Sequence, residues 1–172
     1  VEDLLHRRLD RKDALALSQW ARASHMPEVC LRLLHRRVRP PARSPLAADD
    51  EEKAEYGAAL LRVGARREAR TLLLEVDAAR VPKVLLFLGF HHMASWDWTE
   101  AAGDLERLAR HARATEYEKL AGSLYLGQAL AEAGRFEEAE AIQLDVIARA
   151  RRMDIRRTER IALLDRVQTH FY

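Results

Sequence analysis

The sequence predicts an all-α chain of stacked antiparallel helical hairpins, and three observations carry that reading. A glycine is followed twelve residues later by an alanine three times, at Gly57 and Ala69, Gly89 and Ala101, Gly127 and Ala139. The same register near the start gives Ser18 and Cys30. Each pair lies in an otherwise helical pattern with a turn near its midpoint. A small residue on each of two joined helices lets the backbones approach near the short end of the ~8–10 Å interaxial range. Finally, no segment shows the two-residue alternation of a strand.

The elements follow in order. Arg11 to Arg22 reads as a helix with Leu15, Leu17, Trp20 and Ala21 as its apolar residues. It breaks near Ser24-His25-Met26-Pro27, since Pro suits the first turn of a new helix. That helix carries Val29, Cys30, Leu33 and Leu34 and stops before Pro40-Pro41. Residues 39–48, with three prolines, form the linker. Asp49 to Glu52 then put negative charge at a helix N-terminus, where the dipole is positive. The helix that follows holds Tyr56, Gly57, Leu60 and Leu61 and ends at Gly64; its partner, Arg67 to about Ala78, carries Ala69, Leu72, Leu73 and Val76. Val81-Pro82 opens a second hairpin with Leu85, Leu88, Gly89 and Met93, turning at Ser95-Trp96-Asp97. Asp97 with Glu100, and Thr115 with Glu118, have the spacing of capping boxes. Leu126, Gly127 and Leu130 mark the third hairpin, with its turn at Gly134-Arg135 and its second helix over Phe136 to Arg151. A last helix presents Ile161, Leu164, Val167 and Phe171 on one face, as a solvent-facing cap.

Composition narrows the class. Of 172 residues, 48% are hydrophobic and 33% charged, which fits a folded, soluble chain. The 29 basic and 27 acidic side chains nearly cancel, leaving +2. No apolar run approaches the ~20 residues of a membrane span, and no N-terminal segment has the charged, apolar and cleavage parts of a signal peptide. A single cysteine, Cys30, rules out an internal disulfide and suits a reducing compartment, so a cytoplasmic location is expected. The first residue is Val1, and a segment of a longer polypeptide is expected.

The hairpins resemble the tetratricopeptide repeat. Leu126-Gly127, Leu130, Gly134-Arg135-Phe136 and Ala139 follow that pattern most closely, and Tyr56-Gly57, Leu60, Gly64 and Ala69 follow it with Arg66 in place of the aromatic. Leu88-Gly89, Trp98 and Ala101 also match, with Trp96 where the turn glycine belongs. Lys53, Leu85 and Ser123 replace the helix-opening tryptophan, and successive glycines stand 32 and 38 residues apart around the family's 34. The resemblance implies a right-handed α-solenoid. Residues 1–48 would hold a degenerate N-terminal hairpin and the linker; residues 49–153 would form repeats at about 49–81, 82–114 and 115–153; residues 154–172 would form the cap.

In such repeats the first helices line a concave, ligand-binding face. Its positions here are Ala54, Ala58 and Leu61, then Leu86, Phe90 and Met93, then Leu124, Gln128 and Ala131, with Arg62 and Glu132 supplying further polar contacts. The lysine and asparagines that grip a terminal carboxylate in chaperone-binding members are replaced by Ala54, Leu86, Leu124, Ala58, Phe90 and Gln128, which argues against a carboxylate clamp. A mostly apolar face needs covering. Either the chain's own helices fill it, or a partner helix or peptide lies there with its i, i+3, i+4 anchors. Phe90 and Met93 suit the second case, because a thioether adapts to varied ligands.

Other constellations are weaker. His91-His92 diverge by about 100° on a helix and cannot readily chelate one ion, so neither a metal nor another cofactor is expected. Residues 1–43 hold ten Lys or Arg against five acids, and Arg149, Arg151, Arg152, Arg156, Arg157 and Arg160 form a second basic run. Without a nucleic-acid motif or interleaved aromatics, these read as solvated helix faces. Arginine outnumbers lysine 25 to 4, a bias that points to a GC-rich bacterial genome. No phosphate loop, His-Glu-x-x-His helix or nucleophile elbow is present, so no enzyme is expected. The expectation is a protein-interaction scaffold that binds another protein or peptide, with a homodimer left open. The alternatives are the effector- or peptide-sensing segment of a bacterial transcription regulator or signalling ATPase, and a helical array contacting nucleic acid.

Overall fold

The computed structural model describes residues 9–40 and 47–171. Among them are nine α-helices and no strand: α1 Arg11–Ala23, α2 Pro27–Val38, α3 Asp50–Arg62, α4 Arg66–Leu74, α5 Val84–Ala94, α6 Trp98–Ala109, α7 Glu116–Glu132, α8 Phe136–Arg152 and α9 Arg156–Thr169. No helix among the described residues is long and apolar enough to cross a membrane. Within each of the chain's compact units, successive helices pack on one another, consistent with a helical repeat.

One turn recurs. His25, Gly64, Trp96, Gly134 and Asp154 each have left-handed backbone, with φ of +59°, +83°, +63°, +77° and +52°. The amide after each one donates back five residues at 2.8–2.9 Å: Met26 to Ala21, Ala65 to Leu60, Asp97 to His92, Arg135 to Leu130 and Ile155 to Ala150. This is the closing bond of a left-handed helix C-cap. Glycine adopts that backbone without a Cβ clash, whereas His25, Trp96 and Asp154 incur one. The turn also governs how the next helix starts. Met26, Ala65, Asp97, Arg135 and Ile155 all sit at ψ of 55–73°, and none makes a side-chain cap bond. The expected Asp97–Glu100 capping box is therefore not formed. Asp49 and Thr115, which follow longer connections, and Asp10, before the first described helix, sit at ψ of 156–177° and do cap their helices. Thr115 with Glu118 closes the expected box, and Asp49 with Glu52 closes a second.

The glycine register also needs correction. A Cβ on Gly57 would lie 2.6 Å from Leu73, and one on Gly89 would lie 2.8 Å from Leu105. On Gly127 it would meet Gln143 at 3.1 Å. The glycines therefore make room for the residue sixteen positions on, not for the alanine at twelve. Antiparallel helices pair symmetrically about their turn, and the midpoints fall at Ala65, Asp97 and Arg135, the residues whose amides close it. Ala69, Ala101 and Ala139 are nevertheless fully buried.

The chain divides into two compact units, Val1–Phe87 and Leu88–Tyr172, with the boundary inside α5. In the first, α1 and α2 pack on α3. Ala21, Cys30, Leu34, Tyr56, Ala59, Leu60 and Ala69 form its core. α4 ends at Leu74, earlier than expected, because Asp77 folds the chain back: its carboxylate accepts from the Ala79 amide at 2.9 Å and its carbonyl from Val81 at 2.9 Å. In the second unit, α6 packs on α7, α7 on α8 and α8 on α9. α9 turns Ala162, Asp165 and Thr169 inward, and of the expected apolar stripe Ile161 packs on the core while Leu164, Val167 and Phe171 are exposed.

Candidate functional site

The predicted face divides by accessibility. In the first unit Ala54 and Ala58 are buried and closed to any partner; Leu61 packs against the core, Leu86 is half-buried, and Arg62 is exposed. In the second unit Leu124 is also buried, joining Leu120, Val146, Ile147, Ala150 and Ala162. These three positions are corrections to the expected face. Leu124 belongs to the second unit's core, and Ala54 and Ala58 are buried, so the apolar character of these three belongs to the interior. Phe90 is half-buried and meets Tyr125 edge-on, ring centroids 4.6 Å apart.

The remaining four residues come together. Met93 from α5 and Gln128, Ala131 and Glu132 from α7 line one cleft of about 160 Å³. Trp98, Gln143, Asp165, Gln168 and Thr169 complete its lining, and the sequence analysis did not single these out for a site. Helix α9 thus fills part of the expected groove and narrows the rest to a pocket. Its polar wall is held by hydrogen bonds. Gln128 Nε2 donates to Asp165 Oδ2 at 2.8 Å, Gln143 Nε2 donates to Thr169 Oγ1 at 2.9 Å, and the Thr169 hydroxyl donates to the Asp165 carbonyl at 2.9 Å. Because that hydroxyl proton goes to the carbonyl, Thr169 Oγ1 can only accept from Gln143, which fixes the amide's orientation. Gln143 Oε1 is left buried without a hydrogen-bond partner. Burial raises the Asp165 carboxyl above its ordinary range, and the bond from Gln128 opposes the shift only in part.

The other concentration of chemistry is in the first unit. Glu52 and Glu55, one turn apart on α3, are almost fully buried. Arg11 reaches Glu52 Oε2 at 2.7 Å and Asp49 at 3.0 Å, and Arg37 Nε stands 3.5 Å from Glu52 Oε1. Arg22 holds Glu55 Oε2 at 2.6 Å, with its guanidinium 5.0 Å from the centre of the Phe87 ring. Lys83 bridges Glu55 at 3.0 Å and Glu51. Burial pulls the Lys83 ammonium down, but Glu55 and Glu51 outweigh it and hold its pKa above the ordinary value. Three arginines of the N-terminal basic cluster are thus engaged by carboxylates of this chain, which argues against a phosphate-binding surface there. Arg7, Arg8 and Arg43 lie outside the described residues. In the second basic run, Arg149 pairs with Asp145, Arg151 with Glu159 and Arg156 with Asp154.

Among the described residues no group of three His, Cys, Asp or Glu is placed to hold a metal ion. His91 is buried, and His92 lies 3.6 Å from Asp104. Cys30 is fully buried, and burial next to Glu55 pushes its thiol up to about 12, so it is no nucleophile at neutral pH.

Comparison of the chain with protein-family models, curated proteins and solved structures found no match.

Proposed function

We propose that this chain is an interaction module of tetratricopeptide type whose second unit receives a segment of another protein at the cleft between α5, α7 and α9. The single observation behind this reading is that Met93, Gln128, Ala131 and Glu132, chosen from the sequence as parts of a binding face, line one open cleft. Its lining joins a thioether, an indole and a methyl group to two carboxylates and three amides, as in pockets where apolar walls supply area and a few polar groups set orientation. The buried Ala54, Ala58 and Leu124 confine the contact to this cleft. A full helix laid along the expected face is therefore the weaker version, and a short segment entering by one or two side chains the stronger.

The size of the cleft also favours a second reading, in which the module senses a small effector within a larger bacterial regulator. One comparison tests the partner reading. Proteins retained from the native host by the wild-type chain are compared with those retained by Met93→Glu, with melting temperature measured alongside. A retained protein lost in the variant at unchanged melting supports the module; identical retention by both chains overturns it.

A further inference from the structure

The hairpin register isolates one residue. Sixteen positions after Ser18, Gly57 and Gly89 stand Leu34, Leu73 and Leu105, each fully buried. The equivalent position after Gly127 is Gln143, 2% exposed, whose Oε1 has no partner. A leucine fits this place in three hairpins, so packing does not demand the amide. A buried acceptor without a donor is costly, and each such case in a native protein calls for a cause. Gln143 lines the cleft of the second unit, which also holds Asp165, Glu132 and the Thr169 hydroxyl. No lysine, arginine or histidine is among the nine lining residues. The site therefore carries negative charge without a cation, together with the unpartnered Gln143 Oε1, while Met93, Trp98 and Ala131 supply its apolar side.

We infer that this cleft binds a primary ammonium carried on a slender aliphatic chain, with Gln143 Oε1 and the Asp165 carboxylate as its acceptors. An ammonium brings three donors and one positive charge, which meets the unpartnered oxygen and compensates the desolvated carboxylate together. Volume agrees. The cleft of about 160 Å³ has room for a slender chain of a few heavy atoms. The same chemistry is offered by a lysine side chain and by a free alkyl diamine. This inference rests on the binding role proposed for the cleft and names what enters it.

The test is a titration of the full chain with butylammonium chloride, following the side-chain amides of Gln128 and Gln143 by NMR, with butanol and potassium chloride as controls. Saturable shifts with butylammonium alone are expected. Gln143→Leu installs the residue of the other hairpins, so it should fold with an equal or higher melting temperature while binding weakens about tenfold or more. Asp165→Asn should weaken binding by a similar factor and keep the fold. A lysyl tripeptide binding more tightly than 1,5-diaminopentane assigns the ammonium to a protein partner, and the reverse order assigns it to a free diamine. Equal shifts with butanol, unchanged binding by Gln143→Leu, or no saturable shift with any probe overturns the inference and leaves the cleft to solvent. Retention of a host protein that depends on Met93, without butylammonium binding, overturns the ammonium alone. Butylammonium binding without such retention overturns the partner reading alone.

Discussion

The two units bury polar groups in opposite ways. In the first, Glu52 and Glu55 lie inside, and Arg11, Arg22, Arg37 and Lys83 converge on them from α1, α2 and the turn before α5. In the second, Gln143 is as deeply buried but only one end of its amide is bonded. A buried charge held by two cations, as Glu55 is by Arg22 and Lys83, commits its partners to the fold, whereas Glu52 Oε1 faces Arg37 at 3.5 Å without a hydrogen bond. A buried dipole that is half met holds a bonding site in reserve. Removing a partner should therefore hurt the first unit, while removing the polar group should help the second. Arg22→Ala leaves Glu55 Oε2 buried beside Lys83 alone and should cost about 3–5 kcal/mol. Gln143→Leu should gain about 1–3 kcal/mol by removing the unmet oxygen. Urea unfolding of both variants checks the contrast, and equal losses would erase it.

Glycines sharpen the comparison at a smaller scale. Gly57→Ala drives a methyl into the fully buried Leu73 and should cost about 1–3 kcal/mol. Gly103 lies within α6 with open space where its Cβ would go, so Gly103→Ala should gain about 0.5–1 kcal/mol from helix propensity alone. Two losses in the thermal melts would mean that Gly103 is needed for close packing.

The hairpin plan was legible because its signals are local. Gly64 and Gly134 mark turns that need left-handed backbone, and Thr115 with Glu118 spells out a cap. Non-local signals were harder to read. Asp97 has the spacing of a cap residue, but a tight turn already fixes its backbone. Glu52 and Glu55 look like acids suited to a helix N-terminus, although they share the i, i+3, i+4, i+7 stripe of Tyr56 and Ala59 and so face the core. The cleft was half legible. Met93, Gln128, Ala131 and Glu132 follow from helix periodicity, whereas Asp165 and Thr169 reach it only because α9 folds back on α8 and α7. Gln143 did carry a signal, a polar residue where three other hairpins have leucine, but it becomes visible only once the pairing interval is set at sixteen.

The turns extend the comparison. Gly134→Ala places a side chain on left-handed backbone and should cost about 1 kcal/mol, although the space around it is open. Trp96 already bears that strain, 77% exposed and edge-on to Trp98. Trp96→Gly should relieve it and raise stability by about 1 kcal/mol, less whatever the two rings gain from each other. A net loss in thermal melts would show that the indole pair outweighs the backbone.

The smallest effects concern pH, where the two units should fail at opposite ends. Lys83 has a folded pKa above its ordinary 10.5, so its contribution is complete below that value and disappears as pH rises through the folded one. Asp165 has a folded pKa above its ordinary 3.8, because burial disfavours the carboxylate more than the Gln128 bond supports it. The folded chain therefore binds this proton more tightly than the unfolded chain. The ionised group opposes folding near neutrality, and that opposition fades as pH falls through the folded value, levelling off below 3.8. Lys83→Met should flatten only the alkaline limb of a stability-against-pH curve, and Asp165→Asn only the acid limb. Saturating butylammonium should oppose the acid-limb gain, since a bound cation favours the carboxylate over the acid. An acid limb that is the same in wild type and Asp165→Asn would mean that this carboxyl is solvated and is no part of the cleft's polar wall.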